Sequence, residues 1–96
     1  MAKGYWMFHT TVTDPETYKE YFERDAEAFV KYGARFLARG GEFVPVEGFA
    51  RERHVIIEFE SYETALACYR SAEYQAASKF RWAAASTDLL IVRGTN

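Results

Sequence analysis

Two histidines and a carboxylate offer the first chemistry in this chain: His9, His54 and Glu58. A carboxylate beside an imidazole in a partly dry site makes a tuned acid/base pair, because each group shifts the proton affinity of the other. The same two groups also serve as an ion pair or hydrogen bond that sets the register of an interface. Residue types alone leave both roles open for His9 and Glu58. Adding His54 gives the composition of a two-histidine, one-carboxylate metal centre, but solvation at a strand start explains His54 equally well. No metal is expected. Four arginines, Arg35, Arg39, Arg53 and Arg81, carry forks that grip a carboxylate or phosphate through paired hydrogen bonds. Glu42, Glu47 and Glu58 are their alternative partners within the chain. Tyr21, Tyr69 and Tyr74, with Trp82, have the character of an aromatic pocket for a small planar ligand, or of plain core. Cys68 sits among Ala65, Leu66 and Tyr69 and reads as an inert buried thiol.

These groups need elements to position them. Residues 4–12, Gly-Tyr-Trp-Met-Phe-His-Thr-Thr-Val, have the aromatic and β-branched content of a strand. Asp14-Pro15-Glu16 follows as a helix start: Asp14 caps free N–H groups, Pro15 suits the first turn and Glu16 favours the dipole. Tyr18, Tyr21, Phe22 and Phe29 recur at helical spacing, and Gly33 supplies the left-handed residue that ends a helix. A second strand is expected over Arg35–Arg39, interrupted by a bulge, a sharp twist or a hairpin tip at Gly40-Gly41 and resuming over residues 42–46. Pro45 would place it at a sheet edge. Gly48 marks a turn, and residues 53–60 are the clearest strand. Ser61 caps a second helix, which breaks near Arg70-Ser71 and restarts toward Ala85; residues 88–93 form the last strand. The order β-α-β-β-α-β is that of an α+β, ferredoxin-like fold, a four-stranded antiparallel sheet with both helices on one face. Right-handed crossovers put the first and third strands side by side at its centre.

Composition bounds the function. Ninety-six residues make one domain, residues 1–96. With 12 basic against 14 acidic side chains and a net charge of −2, there is no field to capture nucleic acid or an anionic membrane. Neither a membrane-spanning run nor a signal peptide is read, and a cytoplasmic protein is expected. One cysteine excludes an internal disulfide and a multi-thiolate metal site. No phosphate loop or dinucleotide fingerprint occurs, so no cofactor is called for. Gly40-Gly41-Glu42-Phe43 is similar to the signature of cyclic-dinucleotide synthases, a much longer domain whose other elements are missing.

The aromatic fraction of 18% exceeds what one small core hides. Strand parity shows where the surplus lies. Trp6, Phe8 and Val12 oppose Tyr5 and Met7; Val55, Ile57 and Phe59 oppose His54, Ile56 and Glu58; Leu90 and Val92 oppose Leu89 and Ile91. If the Trp6/Phe8 and Val55/Ile57/Phe59 sets pack under the helices, His9, His54 and Glu58 share the uncovered face, where a His9–Glu58 contact is feasible. That face is too apolar for water, and the simplest cover is a second copy packed face to face about a twofold axis.

The residues also carry a resemblance over essentially the whole chain. One part is the run from Tyr5-Trp6 to Thr13-Asp14-Pro15-Glu16, with Tyr18 and Tyr21. Another is Gly33-Ala34-Arg35-Phe36-Leu37, Arg39-Gly40-Gly41 and Val46-Glu47-Gly48. Val55-Ile56-Ile57-Glu58-Phe59, Cys68-Tyr69-Arg70-Ser71 and Glu73-Tyr74-Gln75 complete it. The chain resembles the "domain of unknown function 1330" family, in the dimeric α/β-barrel group of ferredoxin-like folds. Ala72 stands where that family often has proline. The resemblance implies a homodimer with a cavity between sheet and helices or between subunits, puts Arg39 and Arg53 at repeated motif positions, and implies no activity. The expected function is a homodimer that binds a small organic ligand without turnover. The alternative, by fold analogy alone, is a cofactor-independent monooxygenase or isomerase acting on an aromatic or polyketide-like substrate. In it His9 is the base, Glu58 orients it, and Arg39 or Arg53 holds substrate charge. A third reading is a structural partner whose sheet recruits another protein.

Overall fold

Alternation along the first strand decides which way the sheet faces. In a computed structural model, which describes residues 2–96, β1 (Gly4–Val12) buries Trp6 and Phe8 on one side and leaves Tyr5, Met7 and His9 half-buried on the other. Helix α1 (Pro15–Lys31) begins where Asp14 accepts the Thr17 N–H at 3.3 Å, and hydrogen bonds from Thr17 hold the Asp14 carboxyl below its ordinary range. It ends in a Schellman turn: Gly33, at φ +68°, donates to the Val30 carbonyl, and Ala34 donates to that of Phe29.

The chain then forms β2 (Arg35–Arg39), β3 (Arg53–Phe59), α2 (Tyr62–Arg70), α3 (Ala72–Ala84) and β4 (Ala85–Arg93). Strand order is β2-β3-β1-β4 with every pairing antiparallel, so β1 and β3 are central as expected. Ser71 both ends α2 and caps α3, accepting the Tyr74 N–H at 3.1 Å. The core lies between the helices and the inner side of the sheet. Trp6 is its centre, touching the rings of Phe8, Phe29, Phe59, Tyr69 and Tyr74 and donating to the Ala65 carbonyl at 2.9 Å.

Three expectations need correction. Residues 42–46 form no strand: Gly40 turns the chain at φ +68°, Pro45 lacks a ladder donor, and pairing resumes only at Arg53. Of the bulge, sharp twist or hairpin tip expected at Gly40-Gly41, the chain makes a turn at Gly40. The bulge lies instead inside β2, where Phe36 pairs with Ile57, Ala38 with Ile56 and Arg39 with Val55, leaving Leu37 as the extra residue. Finally, β4 begins at Ala85, three residues earlier than the sequence suggests, because residues 85–87 continue the ladder against Val12, Thr11 and Thr10.

The outer face of the sheet is bare of helices. There Met7 lies between Ile56 and Leu90 in register, and Tyr5 lies beside Val92; Leu90 is 50% exposed and Val92 41%. No helix among the described residues is long and apolar enough to cross a membrane.

Candidate functional site

The buried stripe of α1 runs Tyr18, Tyr21, Asp25, Ala28 and Phe29, so an acidic residue occupies a core position. Asp25 is 3% exposed. It faces the inner side of β2 and β3 across a narrow cleft whose walls are Phe8, Tyr18, Tyr21, Phe22, Phe29, Phe36, Val55 and Ile57, with Arg39 and Arg53 completing the lining. The inner cleft offers about 10 Å³ to a water centre, roughly one water molecule. A wider depression of about 230 Å³ shares Asp25, Phe29, Phe36 and Arg39 with it and extends past Ala26, Val30 and Ala34.

The β2 bulge is what delivers Arg39. In a regular strand, residues three apart face opposite sides; the extra residue puts Phe36 and Arg39 on the same, helix-facing side. The Arg39 guanidinium then stacks on Phe36 at 4.2 Å, and that of Arg53 on Phe22 at 5.0 Å. Arg53 also passes directly under Gly40, where a Cβ would fall 2.2 Å from Nη1. Its Nε is buried without a hydrogen-bond partner.

Neither arginine reaches Asp25: no ion pair to its carboxylate forms among the described residues. Burial pushes the Asp25 carboxyl up from 3.8 to about 7, and the more distant charges of Arg39 and Arg53 offset only part of that rise. A carboxyl poised near neutrality beside two guanidinium forks and a ring-lined wall can bind an anion, orient a planar molecule and exchange a proton.

The aromatic pocket expected from Tyr21, Tyr69, Tyr74 and Trp82 divides in two. Tyr74 is wholly buried and its hydroxyl meets that of Tyr21 at 2.7 Å, forming a partition between α1 and α3. Burial lifts the Tyr74 phenol to about 12. Tyr21 faces the Asp25 cleft, whereas Tyr69, Arg81 and Trp82 line a separate cleft against β4.

On the outer face, His9 and Glu58 do not meet. Their strands are adjacent, but the register pairs Tyr5 with Glu58 and His9 with His54, four residues along. Glu58 takes hydrogen bonds from Tyr5 at 3.1 Å and Arg35 at 2.5 Å. Partial burial works against its ionisation, yet those two donors outweigh it and hold the carboxyl below the usual range. The His9 and His54 Nδ1 atoms lie 2.8 Å apart, a contact that needs a proton on one ring and a lone pair on the other. No group of three or more His, Cys, Asp or Glu suited to a metal ion occurs among the described residues. Cys68 is buried, and desolvation raises its thiol to about 12, which leaves it unreactive.

Asp25 is the residue the sequence reading passed over. The signal was present, since it falls four residues after Tyr21 and four before Phe29, inside the apolar stripe.

The family described as "Domain of unknown function (DUF1330)" matches residues 3–95. The chain belongs to the DUF1330 family. No curated protein matches it. Among solved structures, this DUF1330 protein is similar to RPA0582, a protein of unknown function from Rhodopseudomonas palustris, at 16% identity and a TM-score of 0.79, covering 99% of this chain and 84% of that one. It is also similar to SnoaB, a cofactor-independent oxygenase from Streptomyces nogalater, at 9% identity and TM-score 0.66, with 100% and 96% coverage. A dimeric protein of unknown function and ferredoxin-like fold from Bacteroides fragilis aligns at 15% identity and TM-score 0.56, covering 95% of each chain. At such identities the likeness establishes the ferredoxin-like fold of the DUF1330 chain, and no activity.

Proposed function

We propose that this protein is a homodimer that holds a small organic ligand bearing an acidic group in the depression of about 230 Å³ beside Asp25 and Arg39. That depression shares its wall with the narrow cleft between α1 and the inner side of β2 and β3. One observation carries the reading: Asp25 is almost fully buried without an ion pair, facing two guanidinium groups that also lack acid partners. Burying the Asp25 carboxyl without a partner is costly, and a ligand that joins it to the half-buried Arg53 and the exposed Arg39 relieves that cost. The bulge that aims Arg39 and the glycine that makes room for Arg53 support the same reading. The dimer joins through the outer sheet face, where Met7, Ile56, Leu90 and Val92 form a continuous apolar band. The dimeric structural neighbour from Bacteroides fragilis supports this assembly.

Native mass spectrometry of the protein as purified tests both parts. The expected result is a dimer carrying a small-molecule mass that Arg53→Gln no longer retains. A ligand-free monomer would overturn the reading.

A second reading is cofactor-independent oxygenation or isomerisation of an aromatic or polyketide-like substrate. It is favoured by the Asp25 carboxyl, whose value of about 7 suits a general base, and by the activity named for SnoaB. Asp25, rather than His9, is the base in this version, because His9 is tied to His54 and lacks the Glu58 partner. Turnover that survives Asp25→Asn would exclude Asp25 as the base, and absence of turnover in the parent protein would exclude the reading.

A further inference from the structure

Beyond the Tyr21–Tyr74 partition, α3 packs mainly on α1 and leaves the inner side of β4 partly uncovered. The gap is a cleft of about 660 Å³ lined by Tyr69, Arg81, Trp82, Thr87, Leu89 and Ile91. Four alternate residues of β4, Ala85, Thr87, Leu89 and Ile91, thus form one wall, and α2 and α3 form the other.

Arg81 sets the chemistry of this cleft. It is 4% exposed, forms no ion pair among the described residues, and its Nε has no hydrogen-bond partner. Its guanidinium carbon lies 5.5 Å from the centre of the Phe8 ring and 5.7 Å from that of Tyr21. Ring faces attract a cation but accept few of its five N–H donors. A guanidinium stays charged at any physiological pH, so this buried cation lacks a counter-charge in the subunit. Around it the cleft mixes polar and apolar surface, with Thr87 as a further polar side chain, Leu89 and Ile91 on the sheet, and Trp82, 53% exposed, at the rim.

We propose that the α3–β4 cleft binds an aromatic monocarboxylate, with its carboxylate on Arg81 and its ring against Trp82 and Tyr69. A planar carboxylate matches the guanidinium fork, and a single cation calls for a single negative charge. Tyr69, Trp82, Leu89 and Ile91 supply the apolar contact that a ring needs. This site is distinct from the Asp25 cleft and does not depend on it.

Titration of the intact protein with 1-naphthoate, followed by NMR, tests the assignment. The expected shifts fall on the Arg81 Nε–H, the Trp82 indole N–H and the Thr87 and Leu89 amides. The uncharged 1-naphthamide should bind about tenfold more weakly or worse, and Arg81→Gln should cost naphthoate a similar factor. Should Arg81→Gln fail to fold, Trp82→Ala at the exposed rim decides, and it should weaken naphthoate binding by several-fold. Equal affinity for acid and amide, shifts centred on Arg39 and Arg53, or no saturable binding by about 1 mM would each overturn the proposal. So would a carboxylate of the second subunit seated on Arg81 in the dimer. An Asp25 cleft found empty would leave the naphthoate result standing, and the reverse also holds.

Discussion

Phe36 and Arg39 stand three residues apart in β2 and face the same side of the sheet. The intervening bulge places a guanidinium on a phenyl ring at 4.2 Å and both of them over the α1 stripe that contains Asp25. A local irregularity in an edge strand therefore makes a charged cleft out of what would otherwise be uniform core.

Asp25 should make stability fall as pH rises. Its folded value of about 7 lies above the unfolded 3.8, so the native state binds more protons than the unfolded chain between those values. The contribution is fully present below about pH 4 and is lost by about pH 7, with an upper limit on the order of 4 kcal/mol. Urea unfolding of the protein and of Asp25→Asn at pH 5 and pH 8, at one protein concentration, isolates the effect. The variant should gain on the parent protein as pH rises; parallel curves would refute the burial argument.

Gly40→Ala should be far costlier than Gly41→Ala. The first combines a positive φ with a Cβ 2.2 Å from Arg53 Nη1, whereas the second meets nothing within 4 Å. Strain and displacement of Arg53 together should cost about 1–3 kcal/mol, against a change near zero for Gly41. Thermal melts of the two variants check the difference, and loss of any retained ligand from Gly40→Ala alone would tie it to the cleft.

Met7→Glu should split the dimer without unfolding the subunit. Met7 sits between Ile56 and Leu90 on the outer face and contributes nothing to the inner core. A charge there meets its own image across a twofold axis. Sedimentation at micromolar concentration should show a monomer with native circular dichroism. An intact dimer would move the interface elsewhere.

The Tyr21–Tyr74 partition should behave as a coupled pair. Tyr74→Phe leaves the buried Tyr21 hydroxyl without its partner at 2.7 Å and should destabilise by about 1–3 kcal/mol. Tyr21→Phe combined with Tyr74→Phe should recover part of that loss, since neither hydroxyl is then stranded. A double-mutant cycle by urea unfolding reads the coupling directly, and simple additivity would show that the two hydroxyls act separately.

Much of the architecture was legible because its signals are local. Asp14, Ser61 and Ser71 cap helices through their own side chains, Gly33 ends one through its backbone, and period-two alternation sorted Trp6 and Phe8 from Tyr5 and Met7. What escaped was non-local. Parity places His9 and Glu58 on one face but says nothing about the offset between strands, and the register set them four residues apart. The bulge at Leu37 has no glycine to announce it, and Asp25 is a carboxylate at a core position, against the usual placement of such groups in water.

The sequence by itself determined the order of elements, their ends and the sidedness of each strand, because capping and alternation act within a few residues. Tertiary structure alone decided which side chains share a cleft. Pairing Phe36 with Ile57 and Arg39 with Val55 collects two arginines opposite Asp25, and the packing of α3 on α1 separates Arg81 from them. Such choices depend on how distant segments pack, and no short stretch of chain contains that information.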